Sequence, residues 1–347
     1  MTASYLRWIT AGAAKPLVDA YRRTGADVPF GDPVPSHGCE MEGWFWRLTD
    51  SVSGRVVVAL CSVNRNPDRD WATVAVALHP GGIVRSAALG IAEAGSSHFS
   101  LDAGTDPTGL LAASINRLRI DLDDIHLDLR FADSFEWPKA LGGGGIFSSI
   151  PFLNQYWHPY RLGGKASGTV TFGEGTWSFD GAPLYAERNW GAGFPERWWW
   201  GQAHDFPGAD VSVAFSGGLL QLGPIRRDVT GVVVRLGNRV IRMTPPALVR
   251  SHVTDGHWTV SARTPRYQIE LDGDGAGLHP HVLPVPLPAE RRNVDTDFEH
   301  LAGQLHCTVR KFGRVVFDGT CELAGLETGS RPAVSQVSGS AAGRPAG

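Results

Sequence analysis

Residues 117–131 read RLRIDLDDIHLDLRF. Leu118, Ile120 and Leu122 alternate with Arg119 and Asp121, and after Asp123-Asp124 the residues Ile125, Leu127 and Leu129 alternate with His126 and Asp128. A period of two over strand-length runs places one apolar face against a core and one charged face in water. The paired aspartates supply turn residues between the runs, so the stretch predicts an antiparallel hairpin.

The same grammar extends in both directions. RVVVALCSV (55–63), ATVAVALHP (72–80) and HFSLD (98–102) precede it as apolar runs or alternations of strand length. After it, ASGTVTFGEGTWSFDG predicts a hairpin at Gly173-Glu174, GVVVRLGNRVIRM one at Gly237-Asn238, and LHCTVRKFGRVVFDGTCEL one near Gly313. HWTVSAR and YQIELDG add further strands. So many antiparallel strands without interspersed helices indicate a mainly β protein of curled sheets or barrels, because closure removes exposed edges.

Two stretches interrupt the rhythm. Residues 136–165 have no stable period and contain four consecutive glycines, as expected of a connection that joins two lobes or covers an opening between them. Residues 274–298, rich in Pro, read as a surface loop. The expected organisation is a short helix within 14–23 and a lead-in (residues 1–35), a first barrel-like lobe with its connecting loop (36–165), a second barrel-like lobe (166–329) and a disordered tail (330–347).

Composition narrows the function classes. In 347 residues, 32 Lys and Arg oppose 35 Asp and Glu, a net charge of −3 with the signs interspersed, which offers no surface for nucleic acid. No run of about eighteen apolar residues occurs, and the N-terminus lacks the long apolar region of a signal peptide, so the expectation is a cytoplasmic chain without a membrane span. Cys39, Cys61, Cys307 and Cys321 are scattered without metal or redox spacing and read as core thiols. No GxGxxG, Walker or HExxH pattern is present, and His279 and His281 lack a locally placed carboxylate, so neither a cofactor nor a metal is expected.

Chemistry concentrates in residues 182–202, APLYAERNWGAGFPERWWWGQ. In an extended chain Tyr185, Glu187 and Asn189 share one side, while Arg188 and Trp190 share the other. A carboxyl in such a row, shielded from water, has a raised pKa and makes a useful acid; equally, Glu187 could pair with Arg188 or Arg197 across a sheet. Trp198 and Trp200 share a face opposite Trp199, so one set lines a cavity while the other packs outward, in one sense or the reverse. Earlier, CEMEGWFWRL (39–48) sets Glu42 beside Trp44, Phe45 and Trp46, either bonded to a buried arginine such as Arg188 or belonging to a pocket. Asp180 follows an alternating strand and either caps the turn at Gly181 or joins the acidic set.

MEGWFWRL resembles the EGW box near the start of tocopherol cyclases, and residues 167–202, SGTVTFGEGTWSFDGAPLYAERNWGAGFPERWWWGQ, resemble their central signature. SGGLLQLGP (216–224) and CELAGLETG (321–329) are similar to further segments, so the likeness spans about residues 36–329. It implies two lipocalin-like antiparallel β-barrel lobes around a ligand cavity, and cyclisation of a prenylated hydroquinone to a chromanol without redox change or organic cofactor. The shared motif residues are Glu42, Gly43, Trp44, Asp180, Tyr185, Glu187, Asn189, Trp190, Gly191, Phe194, Pro195, Trp198 and Trp200, with Trp157 retained in IPFLNQYWHP. Asn154, Tyr156, Phe45 and the pair Ala203-His204 depart from the family pattern, so the resemblance carries the reaction class further than the substrate.

Such a ring closure needs a protonated acid for the alkene, an acceptor that orients the phenol, and an aromatic wall that excludes water. The expected catalytic set is Glu187, Glu42 and Asp180. The expected substrate-binding set is Trp44, Trp157, Tyr185, Asn189, Trp190, Phe194, Trp198, Trp200 and His204. The expected partner is a hydrophobic small molecule of the prenylated aromatic class, with transient contact at a membrane surface left open. A hydratase using the same protonated alkene, a pericyclic cyclase, and a carrier without catalysis are the competing readings.

Overall fold

The computed structural model of the chain describes residues 19, 21–105, 109–135, 137–138, 140–275 and 277–331. The expected helix at 14–23 lies largely outside these, although Tyr21–Arg23 are helical, and a four-residue helix follows at Val34–His37. The tail after Arg331 also lies outside.

Among the described residues, everything else of regular structure is antiparallel strand or a short 3-10 turn, arranged as one sheet of twelve strands and one of ten. The first sheet runs Ile83–Leu89, Trp71–His79, Arg55–Asn64, Met41–Asp50, Gly175–Gly191, Lys165–Phe172, Ile125–Ala132, Arg117–Leu122, Leu110–Ser114, Ser100–Gly104, Ala92–Ala94. Its end strands are successive in sequence, and the sheet curls until it nearly closes. Val74, Val76 and Leu78 thereby share one core with Leu101, Leu118, Ile120 and Leu127. The Arg117–Phe131 hairpin is present, paired Leu122↔Ile125, with Asp123 in the left-handed region at φ 51°.

The second sheet runs Arg239–Met243, Ile225–Leu236, Val211–Leu222, Arg197–His204, Arg314–Ser330, Arg292–Lys311, Tyr267–Asp274, His257–Arg263, Leu248–Thr254. Trp199, Val213, Phe215, Val232, Leu271 and Leu326 lie in its own core. Ile241 and Met243 at one end and Val249 and Val253 at the other pack on that same core, but no hydrogen-bonded ladder joins the two end strands among the described residues, so the curled second sheet is not shown as a closed barrel.

Two expectations are corrected. The change of sheet falls between Gly191 and Arg197 instead of at 165/166, because the Lys165–Phe172 and Gly175–Gly191 strands pair back into the first sheet. Residues 274–298 are also no surface loop. His281–Leu287 pairs with the start of Arg292–Lys311, with a register shift between Leu283 and Pro284. The Pro-rich composition reflects an edge position, where a missing N–H costs no ladder bond.

The two sheets face each other through Phe45, Val58, Tyr185, Trp200, Val233, Leu283 and Leu301. The 136–165 stretch contributes the Gly145–Ser149 turn and the Gln155–Arg161 strand. That strand hydrogen-bonds along the second half of Gly175–Gly191, opposite Asn189 at Trp157.

Candidate functional site

Between the sheets lies a cavity with about 1230 Å³ of empty space, counting the part open to solvent. Strand alternation decides what faces it. On Gly175–Gly191 the residues Tyr185, Glu187 and Asn189 point toward the second sheet, while Ala186, Arg188 and Trp190 point away. On Arg197–His204, Trp198 and Trp200 line the cavity, while Trp199 turns into the second core, where its Nε1 donates to Thr230 Oγ1 at 3.0 Å. Phe147 and Trp157 come from the 136–165 stretch, and Phe194 and Pro195 from the turn before the tryptophans. Trp44 contributes to the wall while its Nε1 donates to the Pro29 carbonyl at 2.8 Å. Gly43 leaves room for the Asn189 amide: a Cβ there would meet its oxygen and shift that side chain on the wall.

Glu187 is the best-organised group in the cavity. Its Oε2 accepts three hydrogen bonds, from Trp157 Nε1 at 2.8 Å, Trp200 Nε1 at 2.8 Å and the Tyr185 hydroxyl at 2.5 Å. No described residue hydrogen-bonds Oε1. Burial pushes the Glu187 carboxyl above its usual range, against the opposing pull of the three donors. Tyr185 is fully buried, and desolvation together with the Glu187 charge holds its phenol well above its ordinary value, so it stays a neutral donor. Resting protonation is thus favoured by desolvation, while a carboxylate formed during reaction meets three donors already in place. This is the electrostatic arrangement that lowers a proton-transfer barrier.

A second acidic group shares the cavity. Asp297 and Glu327, from adjacent strands of the second sheet, both line it. Trp198 Nε1 donates to Glu327 Oε1. Glu299 stands behind them, opposite Glu327 in the ladder and 3.7 Å from Arg47 Nη1. The sequence reading missed all three carboxylates. Asp297 and Glu299 alternate inward from the stretch taken for a loop and its continuation, and Glu327 sits inside CELAGLETG, a segment noted only for its resemblance. Inward acid spacing at 297 and 299 was the available signal.

Four expected site residues lie elsewhere. Glu42 is buried but outside the cavity wall, bonded to Arg188 Nη2 at 2.6 Å and to Arg65. Arg188 is held further by the Gly25 carbonyl at 3.0 Å and lies over the Trp190 ring, 4.6 Å from its centroid. Asp180 is exposed, on the far half of its strand from Glu187. Trp190 stacks on Tyr156 at 5.4 Å and donates to His37 Nδ1 at 3.0 Å, with His37 kept neutral by burial, its pKa lowered to about 4. His204 lies beside Gln202 Nε2 at 2.8 Å and lines a separate pocket with Asp205, Asp210 and Arg235; burial lowers its pKa to about 3. The four cysteines are buried and free. No group of three or more His, Cys, Asp or Glu is placed to hold a metal among the described residues.

Comparison with known proteins gives this geometry a context. A model of the tocopherol cyclase-like family matches residues 125–330. The probable chloroplastic tocopherol cyclase of Oryza sativa subsp. japonica is 27% identical over 205 residues, 56% of this chain and 43% of that protein. The chloroplastic tocopherol cyclase of Zea mays is 28% identical over 209 residues, with the same coverage of 56% and 43%. The matched region thus spans less than half the length of these curated relatives. Both are chloroplastic, which overturns the cytoplasmic expectation. Among solved structures, CghA with Sch210972 superposes with a TM-score of 0.56 at 13% identity, covering 84% of this chain and 88% of that one. Kievitone hydratase from Nectria haematococca gives 0.50 at 13%, covering 83% and 88%. These two likenesses concern the fold.

Proposed function

Starting from the fact that the chain belongs to the tocopherol cyclase-like family, we propose that it is an intramolecular cyclase that closes a chromanol-type ring on a prenylated hydroquinone bound between its two lobes. The two sheets then act as a pair of lipocalin-like lobes, with the cavity at their meeting face. The observation that carries this reading is Glu187: a buried carboxyl with one oxygen gathering three donors and the other left for the ligand.

In the reaction, the Oε1–H of Glu187 protonates the less substituted alkene carbon, positive charge develops on the tertiary carbon, and the phenolic oxygen closes on it. Trp157, Tyr185 and Trp200 hold the carboxylate as it forms. The rings of Trp157, Trp198 and Trp200 face the cation, at roughly 0.5–2 kcal/mol per favourable contact. General acid catalysis supplies about 10²- to 10⁴-fold, and the remainder comes from folding the prenyl tail against the ring in a cavity that keeps water from the cation. Ile146, Phe152, Leu222 and Ile225 are exposed on the same stretches that supply Phe147, Leu220 and Val229 to the wall, which suits entry of an apolar ligand and passing contact with a membrane surface.

Hydration is the second reading, favoured by the fold shared with kievitone hydratase. It uses the same protonated alkene but lets water reach the cation. Incubating the purified protein with a prenylated hydroquinone separates the readings. Cyclisation yields a product of unchanged mass and altered retention, hydration adds the mass of water, and a carrier returns the substrate.

A further inference from the structure

Asp297 and Glu327 are the acids of the cavity that the alkene-protonation step leaves unused. Both are more than nine-tenths buried, and among the described residues neither forms an ion pair with an arginine or lysine and Oδ1 of Asp297 has no hydrogen-bond partner. Two carboxyls placed this way are costly in a core unless one proton is shared between them. Asp297 lies opposite Gly329, two residues along the strand from Glu327, so both carboxyls meet on the cavity face where one proton serves the two, and Trp198 Nε1 donates to Glu327 and holds the remaining charge there. Burial and the nearby charges of Glu327 and Glu299 hold Asp297 well above the carboxylate range. Burial pushes Glu327 up to about 7; its bonds to Trp198 and Asp297 oppose the rise and the charge of Glu187 adds to it. Arg47 is engaged by Glu299 and by the carbonyls of Leu301 and Leu323, both at 2.7 Å.

The placement relative to Glu187 is equally specific. Trp200 bonds Glu187 and Trp198 bonds Glu327, and the two tryptophans are next-but-one neighbours on one strand face. That repeat, about 7 Å between the two tryptophan backbones, sets the two carboxyl groups side by side along one wall of the cavity. A substrate whose phenol is accepted at one carboxyl and whose alkene is protonated at the other, each contact about 3 Å, bridges the two in a bent arrangement.

We propose that the Asp297–Glu327 pair anchors the phenolic hydroxyl of the substrate and accepts its proton, beside the acid Glu187 on the cavity face that Trp198 and Trp200 share. This rests on the cyclase reading and assigns the base that such a reaction requires. The balance closes. The phenolic O–H proton passes to the Glu327 carboxylate while the oxygen lone pair forms the C–O bond to the tertiary carbon. The alkene π pair takes the proton of Glu187. The protein ends with the acceptor protonated and Glu187 ionised, and exchange with solvent after product release restores the resting state.

The test compares binding of a prenylated hydroquinone with that of its O-methyl ether at the cyclising oxygen, followed by quenching of tryptophan fluorescence, in the intact protein and in Glu327→Gln, Asp297→Asn and Glu187→Gln. A hydrogen bond to a charged acceptor predicts roughly tenfold or greater preference for the free phenol. Glu327→Gln should bring the ratio near unity, whereas Asp297→Asn, whose amide still donates to Glu327, and Glu187→Gln should retain it, the latter while losing turnover. The acid limb of kcat/KM, expected near pH 7 in the intact protein, should disappear in Glu327→Gln. In Trp198→Phe, which keeps both acids but removes the donor that lowers the Glu327 pKa, the limb should move to higher pH. Retention of both the phenol preference and the acid limb in Glu327→Gln overturns the assignment, as does an unmoved limb in Trp198→Phe if the acid variants do not fold. A preference for the phenol without any ring closure by the intact protein would instead refute the cyclase reading and leave the anchor standing.

Discussion

Replacing Glu187 by glutamine changes one proton and little geometry. The amide oxygen can take the place of Oε2 and keep the bonds from Trp157, Tyr185 and Trp200, leaving the NH₂ group where Oε1 faced the ligand. An amide cannot protonate an alkene, so kcat should fall by about 10²- to 10⁴-fold, or roughly 3–5.5 kcal/mol of barrier. Stability should move the other way. The folded-state pKa of Glu187 is raised, so between the unfolded and folded values the native state holds a proton that the unfolded chain has released. Over that interval stability falls as pH rises, and above the folded pKa the full cost is present. Glutamine removes this cost, so melting curves of the variant should match or exceed those of the intact protein at pH 8 and lose the advantage near pH 4. The assay is initial rate by chromatography beside melting curves at both pH values. Near-normal turnover, or an equal loss of folded protein, would refute the assignment of Glu187 as the acid.

Glu42→Gln should destabilise by about 3–5 kcal/mol, because it leaves Arg188 buried without its counter-charge; chemical denaturation measures this, and an unchanged midpoint would contradict the structural role. Trp199→Leu should mainly lower the melting temperature, by loss of core volume and of the bond to Thr230, whereas Trp198→Leu and Trp200→Leu should slow turnover and weaken ligand quenching of fluorescence with most stability kept. Asp180→Asn should leave rate and stability within about 0.5 kcal/mol, as befits an exposed side chain.

The sequence makes the hairpins legible because their signals are local: alternation on both sides of Asp123-Asp124, Gly173-Glu174 and Gly237-Asn238 fixes turn and register together. Alternation likewise puts Tyr185, Glu187 and Asn189 on one face and separates Trp199 from its neighbours. It does not tell which side of a strand meets a core and which meets a second sheet. Glu42 and Glu187 therefore look alike in sequence, both acids among aromatics, yet only Glu187 points to the gap between the sheets while Glu42 points the opposite way to Arg188. Long-range pairing hides most. Lys165–Phe172 and Gly175–Gly191 return to the first sheet across the irregular 136–165 stretch, and no local pattern encodes that choice. Proline at 284, 286 and 288 disguises an edge strand as a loop, and with it went Asp297.

The central claim is that a proton from Glu187 goes to carbon as the ring closes. Cyclisation in D₂O followed by mass spectrometry tests it most directly, because a deuteron delivered to the alkene carbon does not wash out when the product is returned to H₂O. The account predicts a cyclic product that retains a single carbon-bound deuterium, formed by the intact protein and lost in Glu187→Gln. A cyclic product without deuterium, as a pericyclic closure would give, or a product that has gained the mass of water, would contradict it.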